Sequence, residues 1–444
     1  MNRLTSTLDP MLALDLLRSL GEEARAFRFE VAPNPCVGAA ILSGTRVVAR
    51  GYHTSWGGPH AEVEALRAAA ASGTPKAEWD TLLVTLEPCS SEGKTPPCVD
   101  AILASGIPRV LVGALDPDLR HKGRGIELLR EAGVEVLVDP TASPLETVSP
   151  HFLHWNEYER LRRPRPWTIA KWAQTLTGQL SPPDDVGEGR WITGPTSRAE
   201  VHRLRASVDA IVTGVGTVLA DDPRLTVRPL GVPGPKGVFL PVTLPPLGVE
   251  GSDCGDLGGG EPVAGEPVAG KSGVGDLAKD ATERTEDTEA AAVEPQQGPA
   301  RVVLDSWLRT PPEARLFQEP GPDEFGGPVH IMSLPGSDHI RRRALEAVGA
   351  HVHSNRGMDR HTLDLRSLWT WLAEQGFQRV LLETGPTLLR NALDSGFVDQ
   401  VRVYTGGVRG GEGESLAPWF ADADLQERLQ RESGQDAVLE AFLG

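Results

Sequence analysis

The 444-residue sequence is poor in cysteine, in aromatic side chains and in long apolar runs. Its four cysteines are too few for the disulfide framework of a secreted protein of this length. No apolar run reaches the ~20 residues that a membrane-spanning helix needs. The N-terminus also lacks the basic and apolar regions of a secretory signal. We therefore expect a cytoplasmic protein without a membrane partner.

Positive charge is scarce as well. The chain has 44 basic and 61 acidic residues, which gives a net charge of −17. A protein that binds nucleic acid along its surface needs a basic stripe. The composition therefore argues against a nucleic-acid partner, but it still allows a local basic pocket for a phosphorylated small molecule.

Glycine and proline, by contrast, are concentrated in one segment. Residues 231–300 contain 14 glycines, 9 prolines and a single aromatic residue, Phe239, and they include the direct repeat EPVAGEPVAG. Such a composition buries too little apolar surface to offset an ordering entropy of roughly 1–2 kcal/mol per residue. We predict a disordered insertion at residues 232–299.

Outside this insertion, apolar strand patterns alternate with helical patterns in two blocks. The first block contains VGAAIL, RVVARGY, TLLVTLE, RVLVGAL and VEVLVD, and the second contains WTIAKWA, DAIVTG, RVVLD, PVHIMSL, RVLLETG and DQVRVYTG. Strands that alternate with helices along the chain predict α/β sheets whose faces are covered by helices. We expect one α/β domain at 1–150 and a second at 165–444, interrupted by the insertion.

Three short motifs in the first block indicate a metal centre. They are His60-Ala61-Glu62, Glu87-Pro88-Cys89 and Pro96-Pro97-Cys98. One imidazole and two thiolates supply three ligands to a tetrahedral zinc, and the fourth position is left to water, as in catalytic sites. Glu62 lies close enough to carry protons without ligating the metal. A structural histidine and two small buried cysteines are the alternative, but the ordered occurrence of all three motifs favours zinc.

H-x-E followed by a P-C…C pair is the signature of the zinc deaminases. The eight residues between the cysteines, with the segments APNPCVG (32–38) and GGPHAEV (57–63), resemble the deaminase half of the bifunctional riboflavin-biosynthesis deaminase/reductase family. That resemblance implies a cytidine-deaminase-like three-layer α/β/α domain that deaminates 2,5-diamino-6-ribosylamino-4(3H)-pyrimidinone 5′-phosphate. It also implies that Asn34 contacts the pyrimidine and that His53 and Lys94 lie near the ribose phosphate.

The motifs of the second block, when they are considered alone, are weaker evidence for a particular function. Gly214-Val215-Gly216 follows one predicted strand, and Glu383-Thr384-Gly385-Pro386-Thr387 joins another to a helix. A strand, a turn of small residues and a helix N-terminus suit the pyrophosphate of a dinucleotide. An ordinary strand-to-helix turn fits this pattern equally well.

The order of several segments is more specific. KWAQTLTG (171–178), RWITG (190–194), LRASVDAIVTGVGTVLADDPRLTVR (204–228), RVVLDSWLRTP (301–311) and LLETGPTLL (381–389) resemble the reductase half of the same family. That half has a dihydrofolate-reductase-like fold and reduces 5-amino-6-(5-phosphoribosylamino)uracil with NADPH. The resemblance implies that NADPH contacts Gln174, Trp191, Thr217, Asp221, Ser306, Gly385, Pro386 and Thr387. It implies that the substrate contacts Gly189, Arg205, Leu225, Arg228 and Glu383.

Lys171 and Glu383 are the ionisable candidates for catalysis beside the sugar. Arg205 and Arg228 suit the ribose 5-phosphate, because a guanidinium pairs with phosphate through two hydrogen bonds. As alternatives, Arg205 could be a solvated helix charge and Trp191 a core residue. We expect a homo-oligomeric enzyme that uses Zn²⁺ and NADPH.

Three positions of the second block depart from the family pattern, which has aspartate, serine and glycine where this chain has Thr177, Gly189 and Thr384. One rival hypothesis is therefore a deaminase whose second domain serves only binding or oligomerisation. A nucleic-acid deaminase is a further rival, but the cysteine spacing, the acidic charge and the reductase pattern disfavour it.

Overall fold

The computed structural model describes residues 9–118, 121–140, 142, 144–155, 165–183, 191–228, 298–355, 357, 361–411, 413 and 415–444. Gly189, Cys254 and all but the last two residues of the predicted insertion lie outside these ranges. None of the helices in the described ranges is long and apolar enough to cross a lipid bilayer.

The N-terminal half, residues 9–155, is built on a mixed sheet. Its strands are β1 (Gly38–Ser43), β2 (Arg46–Tyr52), β3 (Thr81–Val84), β4 (Arg109–Val112) and β5 (Glu135–Val138). Its helices are α1 (Pro10–Ala24), α2 (Arg28–Val31), α3 (Ala61–Ala71), α4 (Cys98–Ser105), α5 (Arg124–Glu131), α6 (Leu145–Val148) and α7 (Pro150–His154). The strand order is β2–β1–β3–β4–β5, with β1 antiparallel to both neighbours and β3, β4 and β5 parallel.

Alternation along β1 creates two apolar faces. Ala39 and Ile41 pack with buried residues of α3, α4 and α5, whereas Ala40 and Leu42 pack with α1. Successive side chains of a strand point to opposite faces, so each face of the sheet needs its own helical cover. The result is a three-layer α/β/α arrangement, as expected.

The C-terminal half, described from residue 165 onward, is built on a larger sheet. Its strands are β6 (Trp167–Gln174), β7 (Ala210–Gly214), β8 (Ala300–Leu304), β9 (Val329–Ser333), β10 (His351–Ser354), β11 (Arg379–Leu382), β12 (Gln400–Thr405), β13 (Leu425–Ser433) and β14 (Asp436–Leu443). Its helices are α8 (Pro195–Ala206), α9 (Val215–Asp221), α10 (His339–Ala347), α11 (Leu365–Glu374), α12 (Pro386–Asp394) and α13 (Ala417–Asp422).

Within the described residues, the strands of this half run in the order β10–β9–β8–β7–β11–β6–β12–β14–β13. All pairs from β10 to β12 are parallel, and the β13–β14 hairpin adds to β12 in antiparallel fashion. Parallel strands end at one common edge of a sheet, and this edge is where α/β proteins place their ligands. Glu383, directly after β11, and Gly214, at the end of β7, therefore lie at that edge.

The two halves share one apolar core. Phe29 and Ala32 of the N-terminal half belong to the same buried cluster as Ile169, Ile211 and Leu381 of the larger sheet. His151 stacks on Phe442 at a centroid distance of 4.7 Å. A shared apolar core favours a permanent contact between the domains over a flexible tether.

Charged groups surround this apolar contact. Arg402 pairs with Glu30 at 3.0 Å and also with the buried Glu440. Glu427 pairs with Arg28 at 3.3 Å and with Arg25 at 3.4 Å. Glu427 has a φ of +49° next to a bulge in β13. Bulges re-aim side chains, and this one directs a carboxylate at two arginines of the other half.

Main-chain groups of the N-terminal half are contacted as well. The Arg379 guanidinium donates to the carbonyl oxygens of Glu30 at 2.9 Å and Phe29 at 3.0 Å. Gln400 donates to the same Phe29 oxygen at 3.2 Å. These donors satisfy carbonyl groups in the short helix α2.

Candidate active sites

The three predicted zinc ligands come together in the N-terminal half. His60 precedes α3, Cys98 is the first residue of α4, and Cys89 lies in the loop after β3. The Nδ1 atom of His60 is 3.5 Å from the sulfur of Cys89 and 3.3 Å from that of Cys98. All three ligand atoms lie within 4.8 Å of one another.

This geometry fits a tetrahedral zinc ion. Zinc bonds of about 2.1 Å to nitrogen and 2.3 Å to sulfur place neighbouring ligand atoms about 3.6 Å apart. The backbone N–H of Cys98 donates to the Cys89 sulfur at 3.2 Å. The Cys98 thiol, the His60 ring and this backbone donor together lower the pKa of Cys89 below its usual value. The donor set is therefore prepared to supply a thiolate.

Glu62 lies beside this cluster, in the first turn of α3. Its side chain is buried, with 3% of the residue exposed. Burial raises its pKa to about 7, against the opposing effect of His60. The carboxyl group is thus held next to the metal ligands and out of bulk water, where a proton carrier for a metal-activated water has to be.

Asn34 and His53 form a hydrogen-bonded unit next to the cluster. The Asn34 amide nitrogen is 3.2 Å from His53 Nε2, and His53 Nδ1 is 3.0 Å from the carbonyl oxygen of Pro59. Burial lowers the pKa of His53 to about 4. A neutral ring that donates from Nδ1 to Pro59 accepts from Asn34 at Nε2. The His53 ring meets the His60 ring edge-on at 5.2 Å.

Sequence reasoning missed the part played by Glu87. Its buried carboxylate accepts the backbone N–H groups of Gly123 at 2.9 Å, Gly125 at 3.1 Å and Asp116 at 3.2 Å. A Cβ atom on Gly125 would lie 2.1 Å from the Pro88 oxygen, so only glycine fits there. Glu87 therefore fixes the loop that carries Cys89. An acidic residue directly before Pro88-Cys89 was the available signal.

Lys94 lies between the two cysteines but contacts the C-terminal half. Its ammonium is 3.0 Å from a carboxylate oxygen of Asp209 and 3.8 Å from the centre of the Trp56 ring. The side chain is 44% exposed. Sequence reasoning did not identify either partner.

The C-terminal half has a second cluster at the carboxyl edge of its sheet. The Glu383 carboxylate accepts from Arg205 Nε at 2.6 Å, from Arg205 Nη2 at 3.0 Å and from Lys171 Nζ at 3.4 Å. Burial alone would raise the pKa of Glu383, but Arg205 and Lys171 outweigh it and hold the pKa at about 2. Glu383 is therefore an ionised carboxylate between two cations.

The Arg205 side chain is 15% exposed and paired, so the alternative of a solvated helix charge is wrong. The remaining nitrogen of Arg205, Nη1, donates to the backbone carbonyl oxygen of Thr226 at 3.1 Å. The alternative that Trp191 is a core residue is also wrong, because Trp191 is 64% exposed. The Arg198 guanidinium lies 5.1 Å from its ring centre.

Two threonines link the turns at the same edge. The Thr384 hydroxyl accepts the N–H of Gly214 at 3.2 Å, and the Thr217 hydroxyl accepts the N–H of Gly385 at 3.1 Å. Helix α12 begins at Pro386, directly after Gly385. A helix N-terminus with two hydroxyl groups beside it is suited to phosphate.

The other predicted residues occupy varied positions. Gln174 ends β6 and donates to Thr405 at 3.2 Å. Arg228 pairs with Glu324 at 2.9 Å. Leu225 has a φ of +53° and a buried side chain. Asp221 ends α9, Thr387 is the second residue of α12 and Ser306 follows β8. Their roles, like that of Gly189, remain predictions.

Two family models match the chain. The RibD C-terminal domain matches residues 166–245 and 269–433, and the cytidine and deoxycytidylate deaminase zinc-binding region matches residues 15–114. The riboflavin biosynthesis protein RibD of Escherichia coli K12 is 33% identical over 86% of this chain and 84% of its own length. The RibD protein of Aquifex aeolicus is 31% identical over the same shares.

Solved structures agree in fold. Acinetobacter baumannii RibD is 24% identical, with a TM-score of 0.57 over 98% of this chain and all of that one. A Thermotoga maritima diaminohydroxyphosphoribosylaminopyrimidine deaminase/5-amino-6-(5-phosphoribosylamino)uracil reductase is 23% identical, with a TM-score of 0.54 over 98% of this chain and 99% of that one. With a deaminase-type His-Cys-Cys cluster in one half and a dihydrofolate-reductase-like sheet in the other, the chain belongs to the RibD family of bifunctional riboflavin-biosynthesis deaminase–reductases.

Proposed function

We propose that the N-terminal half hydrolytically deaminates 2,5-diamino-6-ribosylamino-4(3H)-pyrimidinone 5′-phosphate and that the C-terminal half reduces the product with NADPH. The observation that carries this proposal is the juxtaposition of His60, Cys89 and Cys98 with the buried Glu62. The paired Lys171 and Glu383 support a catalytic second half.

In the deaminase, His60, Cys89 and Cys98 would hold the zinc ion. When bound, zinc supplies the Lewis acidity that activates a water molecule. Glu62 takes a proton from the attacking water and delivers one to the departing amino group, so that water and the amine become a ring carbonyl and ammonia. Asn34, held by His53, orients the pyrimidine, while His53 lies near the ribose phosphate and Lys94 binds it.

In the reductase, the turn from Gly385 into α12, with Thr217 beside it, would hold the phosphates of NADPH. When bound, NADPH supplies the hydride that reaches C1 of the ribose. Lys171 is the proton donor to the ribose ring oxygen, and Glu383 orients that ammonium group. Arg205 fixes Glu383, and Arg228 adds positive charge for the phosphate. Gln174, Trp191, Asp221 and Ser306 complete the cofactor contacts in this proposal.

The test is to incubate the zinc-loaded full-length protein with the pyrimidinone phosphate, with and without NADPH, and to follow the product masses. Without NADPH we expect only the deaminated ribosyl compound, and with NADPH the ribityl compound. Glu62→Gln should keep one zinc per chain and lose deamination by at least about 10²–10⁴-fold. Near-normal deamination by this variant would show that Glu62 is not the proton carrier.

Lys171→Met is the matched control for the second half. It should leave deamination intact and stop reduction, so that the deaminated ribosyl compound accumulates even with NADPH present. Undiminished reduction by Lys171→Met would contradict the role proposed for this residue.

A further inference from the structure

Asp209 connects the C-terminal half to the loop between the two metal-ligand cysteines. It lies directly before β7, and its Oδ1 atom accepts from the Lys94 ammonium at 3.0 Å. The loop that carries Lys94 begins at Cys89 and ends at Cys98, both of which belong to the candidate zinc site. A residue of the reductase half is thus hydrogen-bonded to the loop of the deaminase site.

The Asp209 carboxylate is held rigidly. Its other oxygen, Oδ2, accepts the backbone N–H groups of Gln378 at 2.8 Å and Arg379 at 3.1 Å. Its own N–H donates to the Arg379 oxygen at 2.9 Å, and its carbonyl accepts from Ala300 at 2.9 Å. Asp209 is therefore fixed to the starts of three neighbouring strands, β7, β8 and β11.

Lys94 also contacts the N-terminal half. The ammonium is 3.8 Å from the centre of the Trp56 ring, a distance at which the ring face attracts a cation. The backbone N–H of Trp56 donates to the backbone carbonyl oxygen of Glu30 at 3.0 Å. Gly57 has a φ of +74°, and a Cβ atom there would lie 3.3 Å from the Lys94 side chain. Both halves therefore contribute to the position of Lys94, and Gly57, which lies against it, is three residues before His60.

We propose that Asp209 is a positioning residue for the deaminase reaction: it fixes Lys94 over Trp56, so that the free N–H groups of the ammonium face the substrate phosphate. The inference rests on the proposed function, in which Lys94 binds that phosphate. An ammonium has three donors, and Asp209 uses one of them. A lysine that is already fixed loses less rotamer freedom when the substrate binds, so binding is tighter. The deaminase site is complete only when the reductase half is docked.

The test uses full-length, zinc-loaded protein with the Asp209→Asn substitution. Asparagine keeps an oxygen for the amides of Gln378 and Arg379 but removes the charge that holds Lys94. We expect KM for the phosphorylated pyrimidine to rise roughly threefold to fivefold, equivalent to at most about 1 kcal/mol, while kcat for deamination changes less than about twofold. KM for the dephosphorylated substrate should not change, because the effect acts through the phosphate.

Two further variants separate positioning from structural damage. Lys94→Gln with Asp209→Asn should bind no more weakly than Lys94→Gln alone, because both changes remove the same contact. Glu427→Gln is the matched control, since it removes another ion pair between the halves, with Arg25 and Arg28, but does not touch Lys94. Its KM should equal that of the unmodified protein. If Asp209→Asn does not fold, Asp209→Ser keeps a hydroxyl oxygen for the two amides.

An unchanged or lower KM in Asp209→Asn would overturn the inference, and a lower KM would show that Asp209 competes with the phosphate. An equal effect on the dephosphorylated substrate, or additive effects in the double variant, would also overturn it. Equilibrium binding of ribose 5-phosphate, followed by calorimetry, provides a measurement without turnover and should weaken by the same factor. If the unmodified protein does not deaminate, the proposed function fails, whereas ribose 5-phosphate binding still decides the role of Asp209.

Discussion

The clearest quantitative prediction concerns Glu383 between its two cations. Glu383→Gln removes the carboxylate and leaves Arg205 and Lys171, whose side chains are 15% and 16% exposed, without their partner. Removing one member of a buried ion pair costs about 3–5 kcal/mol. The pKa of Glu383 leads to a similar figure, because a fall from 4.5 to about 2 corresponds to about 3 kcal/mol of folding stability.

The lowered pKa of Glu383 also determines how the folding stability depends on pH. The folded-state pKa of Glu383 is depressed, so its stabilising contribution is complete above the unfolded pKa of 4.5 and is lost as the pH falls toward 2. By pH 3 the unmodified protein should have lost about 2 kcal/mol of this contribution. The glutamine variant has no such carboxylate to protonate. The difference in unfolding free energy between the two proteins should therefore narrow on acidification.

Urea unfolding followed by tryptophan fluorescence at pH 7 and pH 3 measures this difference, since Trp167, Trp172 and Trp369 are buried in the same half. We expect the difference in unfolding free energy between the two proteins to fall from about 3 kcal/mol at pH 7 to about 1 kcal/mol at pH 3. Glu346→Gln is the matched control, because its carboxylate is 46% exposed and pairs with Arg342 of the same helix, and such surface pairs contribute at most about 1 kcal/mol. Equal gaps at the two pH values, or a variant as stable as the parent, would refute this account of Glu383.

Three further predictions follow from other contacts. Replacing residues 235–297 by a short Gly/Ser linker should preserve both activities and change stability by only about 0.6 kcal/mol per halving of loop length. Val227, near the end of the described chain before this segment, and Gly298, where the described chain resumes, both lie beside Phe325, so a short linker can join them. A large drop in melting temperature would contradict this prediction. Glu87→Gln should weaken zinc retention about 10- to 100-fold, as measured by elemental analysis after dialysis against a chelator, and unchanged retention would show that Glu87 does not support Cys89. The double substitution Thr384→Gly with Thr177→Asp should raise the reductase rate. It also removes the hydrogen bond between Thr384 and Gly214, which costs about 1 kcal/mol of stability. An unchanged rate would mean that these departures from the family pattern are neutral.

Sequence patterns were sufficient to predict those helices and strands that are set by the local spacing of apolar residues. The spacing of apolar residues predicted both sheets, and the motifs around His60, Cys89 and Cys98 predicted their convergence, because each follows or precedes a regular element. The strand predicted over 81–87 is shorter and ends at Val84, since the chain turns there to place the carboxylate of Glu87.

The C-terminal hairpin was missed for a different reason. The segment LQERLQRES is rich in charged residues that favour helices, yet it forms β13. Its charges are satisfied across strands and by a distant helix, as when Arg431 pairs with Glu440 and Glu200. Lys94 and Asp209 are likewise joined over 115 positions in sequence. Contacts of that range have no local signature, because either residue alone resembles a surface charge.

The contact between the halves has a consequence for how the two could diverge in evolution. Arg379 and Gln400 recognise carbonyl oxygens of Phe29 and Glu30, and every amino acid carries such an oxygen. These main-chain contacts therefore do not restrict which side chains stand at positions 29 and 30, although Phe29 itself is restricted by the apolar core that the halves share. Paired changes between the halves should concentrate instead where side chains meet, at Glu30 with Arg402 and at Glu427 with its two arginines. A deaminase half exchanged between distant relatives should dock on this reductase half if those charges and an apolar side chain at position 29 are kept.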